Sequence, residues 1–237
     1  MFARIVKCIP SLGKAEEFLK KLRPATRTQL VVASSPRSAP IPESAIQTAV
    51  SEAHRSGKPV FVHPNNVTDV LAAVRSGVDV IAHTTPQSGP WDETVLIAMK
   101  ERRVALTPTL TLWKHFMRHD RISTQEQIVD TAVGQLRDWL ACGGTVLLGT
   151  DLGAVDYDPS EEYTLMAEAG MNFRQILASL TTAPAGRFGV AKHLGRIAAG
   201  LQADLVVLKD DPSGNVRALA AVRYAIRAGK IIYRESE

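Results

Sequence analysis

Three short apolar segments of this sequence end in a histidine or an aspartate: Pro59-Val60-Phe61-Val62-His63, Val78-Asp79-Val80-Ile81-Ala82-His83 and Thr145-Val146-Leu147-Leu148-Gly149-Thr150-Asp151. Each segment is rich in β-branched residues, which is typical of a strand buried on both faces. Each ends in a side chain that divalent metals bind, neutral imidazole twice and then carboxylate. Because the carboxyl ends of the strands form the active-site face of a parallel β/α barrel, His63, His83 and Asp151 are predicted to point into one site.

Strands and helices alternate from Thr28 onward. The predicted strands are Leu30–Ala33, Val60–His63, Val78–His83, Val104–Thr107 and Val146–Gly149. Helices are predicted near residues 43–56, 67–76, 92–102, 112–142, 160–169 and 173–179. This alternation is typical of βαβ units around a parallel sheet.

After Gly195 the alternation of strands and helices gives way to short strands alone. Short strands are predicted at Asp204–Leu208, Val222–Arg227 and Lys230–Tyr233, with Ala228-Gly229 as a tight hairpin turn. We therefore predict two domains, a partial hydrolase-like barrel over residues 1–195 and a small β portion over residues 196–237.

Composition excludes several functional classes. The 237 residues are enough for a sizeable core, and 45% hydrophobic with 22% charged residues is ordinary for a globular protein. The net charge of +4 is spread along the chain, and the basic residues of 14–27 are offset by Glu16 and Glu17, so no nucleic-acid partner is predicted. No apolar run is long enough to span a membrane, and the first ten residues lack the pattern of a signal peptide. Because Cys8 and Cys142 form neither a CxxC motif nor a disulfide framework, a cytoplasmic protein with reduced thiols is expected.

Seven stretches of the sequence, taken in their order, resemble a known family. FVHP, VDVIAHTTP, ALTPTLTLW, VLLGTD, ILASLTTAPAGRFG, LGRIAAGLQADLVVL and VRYAIRAGKIIY resemble the second half of the amidohydrolase superfamily, in particular its imidazolonepropionase-like and prolidase-like branch. The resemblance runs from about residue 28 to 234. It implies a metal-dependent (β/α)₈ barrel that hydrolyses C–N and related bonds, with a β-sandwich built from both chain ends. It also implies that His63 and His83 match the metal ligands of strands 5 and 6, and that Asp151 matches the strand-8 aspartate that binds metal and handles the proton of the attacking water.

The chain departs from the family pattern in two places. The strand-1 His-x-His pair is absent, because no two of its six histidines are separated by one residue. The strand-4 lysine that becomes carboxylated in the family falls on Gln29. We therefore expect an α/β fold that is an incomplete (β/α)₈ TIM-type barrel, about strands 4–8, with a small C-terminal β element from a composite β-sandwich. Open strand edges predict self-association, or a missing N-terminal half that another segment supplies.

Other candidate residues each have two interpretations. Trp91 and Trp113 follow predicted strands and either contact an apolar substrate or pack in the core. Asp156 is a weak candidate for substrate contact, whereas Asp158 before Pro159 is favoured as a helix cap. The pair His115 and His119 has the i, i+4 spacing of a helical metal site but lacks the glutamate of HExxH, so a surface position is favoured.

Two functions follow from these residues. The first is a metal-dependent hydrolase, with zinc or another divalent metal, acting on C–N bonds of a small-molecule, non-peptide or dipeptide-like amide. In it, Asp151 is the catalytic residue and activates water. The alternative is a catalytically silent barrel fragment, or one half of a split enzyme, without the strand-1 His-x-His. His54 and His193 are expected to face solvent.

Overall fold

A computed structural model describes residues 41–118, 121–155 and 158–236, without the side chains of residues 122 and 123. These residues divide into two compact units. The first holds the described residues up to Pro108 together with Ala141–Thr145, and the second holds Thr109–Leu140 and the described residues from Val146 onward. The predicted strand at 30–33, Gln29 and Cys8 lie outside the described residues. The predicted domain boundary between residues 195 and 196 stays a prediction.

The first unit alternates helices with short strands. Its elements are α1 (Glu43–Arg55), β1 (Phe61–Val62), α2 (Val67–Arg75), β2 (Val80–Ala82), α3 (Glu93–Glu101) and β3 (Ala105–Thr107), with a 3-10 turn at Pro86–Ser88. The helix starts follow from local chemistry, since the side chains of Asn66 and Asp92 accept hydrogen bonds from backbone N–H groups in the first turns of α2 and α3. The predicted alternation is confirmed here.

The strands of the first unit form a parallel sheet. Val62 pairs with Ile81 in β1–β2, and Ile81 pairs with Leu106 in β2–β3. All three side chains have no measurable exposure, as expected for strands covered on both faces. The sheet order is β1-β2-β3-β4, where β4 is Thr145–Val146. The α/β class with a parallel sheet is thus confirmed, while the described residues show no closed barrel.

The Asp79 side chain, just before β2, contacts the backbone just before β1. Its Oδ2 accepts a hydrogen bond of 2.7 Å from the backbone N–H of Val60 and lies 2.7 Å from His54 Nε2. Val60 is buried, whereas His54 is exposed on α1, as predicted for that histidine. The carboxylate therefore satisfies a buried backbone donor immediately before β1.

Replacing Asp79 by alanine should lower the free energy of unfolding by about 1–2 kcal/mol, because the Val60 N–H loses its carboxylate acceptor. Replacing His54 by alanine removes only a partly exposed contact and should cost less than about 1 kcal/mol. Urea unfolding of both variants checks this difference. Equal losses would contradict the assignment of the larger effect to the Val60 N–H.

The second unit is mainly helical before residue 200. Its helices are α4 (Leu110–Phe116), α5 (Ile122–Ala141, of which Ala141 belongs to the first unit), α6 (Ser160–Glu168), α7 (Phe173–Leu180) and α8 (Thr182–Arg187). The predicted single helical stretch over 112–142 was wrong, because α4 ends at Phe116 and α5 begins only at Ile122. The predicted strand 146–149 is shorter than expected: β4 ends at Val146, and the Leu148 N–H donates to the Ser179 carbonyl instead.

The C-terminal part of the second unit is a three-stranded antiparallel sheet. It consists of β5 (Leu205–Leu208), β6 (Val222–Arg227) and β7 (Lys230–Arg234), in that order, with a 3-10 turn at Val216–Ala220. Ala228 and Gly229 both have positive φ, at 49° and 76°, as a tight two-residue hairpin requires. This confirms the predicted β element and its turn. Among the helices described here, none has the length and apolar character needed to cross a bilayer.

Candidate active site

Two of the predicted ligands lie side by side in the first unit. His63 follows β1 and His83 follows β2, so both come from the carboxyl edge of the parallel sheet. Their ring centroids are 4.4 Å apart with an interplanar angle of 72°, an edge-to-face arrangement. The parallel pairing places the two residues at equivalent ends of neighbouring strands. The structure therefore brings these two predicted ligands together.

His83 is held neutral by its surroundings. It is only 5% exposed, and its backbone N–H donates to the Thr107 carbonyl at the end of β3. Burial, with a smaller contribution from the charge of His63, lowers the pKa of His83 to about 3. Near neutral pH the ring therefore keeps a lone pair, which is the form that binds metals.

The backbone after several strands is left-handed. His83, Thr109 and Asp151 follow β2, β3 and β4 with φ of 76°, 50° and 59°. Such angles are uncommon outside glycine and cost energy, and they cluster at functional sites. Of the predicted site residues, His83 directly follows β2, whereas Asp151 comes five residues after the end of β4.

Asp151 belongs to the second unit and opens a tight turn. Its carbonyl accepts a 2.9 Å hydrogen bond from the Ala154 N–H, and Leu152 forms a bridge with Val155. The side chain of Asp151 is partly exposed. Its predicted role as ligand and catalytic residue stays a prediction, and Asp156 lies outside the described residues.

The predicted pair of imidazoles fits a divalent transition metal as part of a ligand set, since both are nitrogen donors and His83 is neutral. A catalytic zinc site has three protein ligands. Within residues 41–118, 121–155 and 158–236, no group of three or more His, Cys, Asp or Glu side chains is arranged to hold a metal ion.

The two tryptophans occupy different environments. Trp91 is 4% exposed and its Nε1–H donates to Thr85 Oγ1 at 2.8 Å, which supports the packing interpretation. Trp113 on α4 is partly exposed and its ring centroid lies 6.5 Å from that of Phe116. Contact of either ring with substrate stays a prediction.

The remaining candidates are structural or at the surface. Asp158 accepts hydrogen bonds from the Ser160 N–H at 2.9 Å and from its hydroxyl at 3.0 Å, just before α6. The N-cap position of α6 is Pro159, which makes no side-chain cap bond, so Asp158 has a structural contact there but is not the helix cap. His115 contacts Arg118, and His119 lies outside the described residues. His193 is exposed, as expected.

One buried carboxylate was missed by the sequence analysis. Glu162 on α6 has no measurable exposure and accepts hydrogen bonds from the Leu110 N–H, the Thr111 N–H and the Thr111 hydroxyl, at 2.8, 2.8 and 2.9 Å. Burial raises its pKa to about 7 against the effect of these bonds. The sequence does carry a signal, because Glu162 shares a helical face with Leu165, Met166 and Ala169.

Asn65 was also missed. Its Oδ1 lies 3.3 Å from His63 Nε2. A polar residue two positions after a candidate ligand at a strand end is the only sequence signal for this contact.

Comparison with known proteins identifies the family. A sequence profile described as the amidohydrolase family matches residues 10–233. The chain belongs to the amidohydrolase family. The resemblance of its motifs to that family is thereby confirmed.

Relatives of this amidohydrolase-family chain include proteins named as hydrolases. Ochratoxinase from Aspergillus niger is 22% identical over 208 residues, which cover 83% of this chain and 42% of that protein. A Xaa-Pro dipeptidase with bound methionine superposes with a TM-score of 0.82 at 20% identity, over 96% of this chain and 59% of that one. A putative prolidase from Bifidobacterium longum gives a TM-score of 0.81 at 22% identity, over 97% and 61%. The chain thus spans about two fifths to three fifths of the length of these relatives, and the structural similarity establishes the fold.

Proposed function

We propose that this chain is a hydrolase that cleaves C–N bonds of small molecules with the help of a divalent metal. The observation that carries the proposal is the edge-to-face pair His63–His83 at the carboxyl ends of neighbouring parallel strands, in a member of the amidohydrolase family. The hydrolase neighbours, a dipeptidase, prolidases and ochratoxinase, agree with C–N bond chemistry.

The proposed roles are distributed over three residues. His63 and His83 hold the metal, for which zinc is the first candidate because imidazole suits it. When bound, such a metal would supply a Lewis acid and lower the pKa of water toward 7. Asp151 accepts a proton from the attacking water on its carboxylate and delivers it to the departing nitrogen. The burial of His83 keeps its ring unprotonated for this task.

The proposed substrate is a non-peptide or dipeptide-like amide. An amide carbonyl and its nitrogen are the groups on which a proton-transferring carboxylate and an imidazole-held metal act. Trp113, partly exposed beside Phe116, offers an apolar surface for such a substrate, whereas the buried Trp91 is a weaker candidate.

The second candidate function is a chain that is silent alone and works with a partner that contributes further donors. It is favoured by the absence of any His-x-His among the 237 residues, which leaves the imidazole pair as the histidine contribution to the site. A second copy of the chain, or a polypeptide bearing a His-x-His, is the proposed partner.

Activity of the purified chain with added Zn²⁺ tests the first proposal. Replacing Asp151 by asparagine should lower kcat/KM for dipeptide and aryl amides by roughly 100-fold, because asparagine does not take up the proton. Asp158→Asn is the matched control, since an amide oxygen still accepts from the Ser160 N–H, and should change kcat/KM less than about twofold. Equal activity of Asp151→Asn and the parent would exclude Asp151 as the proton carrier. Activity that appears only with a His-x-His polypeptide would favour the second candidate.

A further inference from the structure

The loop after β1 places an amide against the first candidate ligand. Asn65 Oδ1 lies 3.3 Å from His63 Nε2, and both residues are partly buried. An amide oxygen only accepts hydrogen bonds, so this contact is a hydrogen bond when the ring nitrogen facing it carries the proton. A neutral His63 that donates from Nε2 has its lone pair on Nδ1.

Asn65 is itself held in place. Its backbone N–H donates to Asp69 Oδ2 at 3.0 Å, and Asp69 lies in the first turn of α2 with 9% exposure. The same carboxylate oxygen accepts from Asn66 Nδ2 at 3.3 Å, while Asn66 Oδ1 caps the Asp69 N–H at 3.0 Å. This reciprocal set of bonds fixes the two-asparagine loop to the start of α2. The backbone that carries the Asn65 side chain is therefore anchored to the first turn of α2.

We propose that Asn65 is a positioning residue for His63. By accepting the Nε2–H it selects one tautomer and one ring orientation, the tautomer with its lone pair on Nδ1. The inference rests on the proposed function only in assigning the metal of the hydrolase as the cation that this histidine binds. The contact between the two side chains stands without it.

The energetic reason is the free energy needed to select one tautomer and one ring orientation of a ligating histidine. An imidazole without a partner on its second nitrogen exchanges between tautomers and ring flips, and only some of these states offer the lone pair at the required place. Partners that fix a ligating histidine raise metal affinity by roughly 10- to 100-fold. Because the Asn65 contact is long and involves neutral groups, the lower end of this range is expected.

Three variants of the full chain separate this role from loop structure. Asn65→Leu keeps the size of the side chain and removes the acceptor, whereas Asn65→Asp keeps an acceptor at the same place. Asn66→Ser is the matched control, because serine also caps a helix, brings no charge beside Asp69, and the residue makes no described contact with His63.

The first readout is the tautomer of His63 in the metal-free protein, measured from the ¹⁵N shifts of the ring and assigned with His63→Gln. The parent, Asn65→Asp and Asn66→Ser should show the Nε2–H form, and Asn65→Leu should show a mixture. A parent protein with Nδ1–H, or an unchanged tautomer in Asn65→Leu, would overturn the proposal.

The second readout is the affinity for Zn²⁺ alone, measured by calorimetric titration. Asn65→Leu should bind about 10-fold more weakly than the parent, and Asn65→Asp at least as tightly as the parent, because a carboxylate makes the ring more basic. Unchanged affinity in Asn65→Leu would refute the positioning role. If the tautomers behave as expected and no variant or parent binds Zn²⁺, the metal assignment of the proposed function fails while the selection of the tautomer stands.

Discussion

Replacing Glu162 by alanine should lower the free energy of unfolding by about 4 kcal/mol. The substitution removes the acceptor for three donors at the start of α4, the N–H groups of Leu110 and Thr111 and the Thr111 hydroxyl. A buried donor left unsatisfied costs about 1–3 kcal/mol, and the emptied volume adds a cavity term. The N-cap residue of this helix, Thr109, makes no side-chain cap bond.

The same residue should make stability depend on pH. Burial raises the pKa of Glu162 from 4.5 to about 7, so the folded state holds a proton that the unfolded state releases between these values. Its contribution is complete below pH 4.5 and declines as the pH rises to 7, by a total of roughly 3 kcal/mol. Glu162→Gln should remove this decline, since glutamine does not titrate.

Urea unfolding at pH 5 and pH 8 measures this effect as a difference between the parent and Glu162→Gln. Glu161→Gln is the matched control, because Glu161 is the neighbouring carboxylate, is partly exposed and pairs with Lys114. It should leave the pH dependence close to that of the parent. A parent and a Glu162→Gln variant with the same change between the two pH values would show that Glu162 does not titrate in this window.

Replacing Gly195 by alanine should cost about 3–5 kcal/mol. Gly195 has a φ of 97°, and an added Cβ would lie 2.5 Å from the Ala185 Cβ and 3.1 Å from the Thr181 carbonyl oxygen. Left-handed backbone costs a residue with a side chain about 1 kcal/mol or more, and overpacking adds about 1–3 kcal/mol. Neither neighbour yields easily, because one is a buried residue of α8 and the other is backbone.

Gly200→Ala separates the two costs. Gly200 has a φ of 84°, but an added Cβ would meet no atom within 4 Å. Only the backbone term applies there, and a loss of about 1 kcal/mol is expected. If urea unfolding gives both variants the same loss, the crowding around Gly195 is relieved by movement of α8.

The sequence predicted the parts of the fold that depend on local patterns. The strands ending near His63 and His83 were predicted because β-branched runs mark buried strands, and α2 and α3 because helices alternate with such strands. Helix α8 was missed because Pro184 and Gly186 disfavour helix, although proline is tolerated in a first turn, where its missing N–H is not needed. The end of β4 was overestimated because the Leu148 N–H finds its acceptor at Ser179, far away in sequence.

The residues of the candidate site were predicted from the sequence, whereas their separation, burial and contacts were not. The nature of His63 and His83 and their order could be read from the chain, whereas their 4.4 Å separation depends on the pairing of β1 with β2. The burial that lowers the pKa of His83 is a property of the folded chain, so no local pattern of the sequence encodes it. The contact between Asn65 and His63 likewise depends on how Asp69 holds the loop.

The left-handed backbone at His83 and Asp151 restricts how these positions can drift during evolution. Histidine, aspartate and asparagine tolerate positive φ better than other residues with side chains, and β-branched residues tolerate it poorly. An exchange of Asp151 for asparagine therefore costs the backbone little, and an exchange for valine or isoleucine costs it much. Loss of the proposed proton carrier by exchange for an amide would therefore leave the backbone of this turn unchanged.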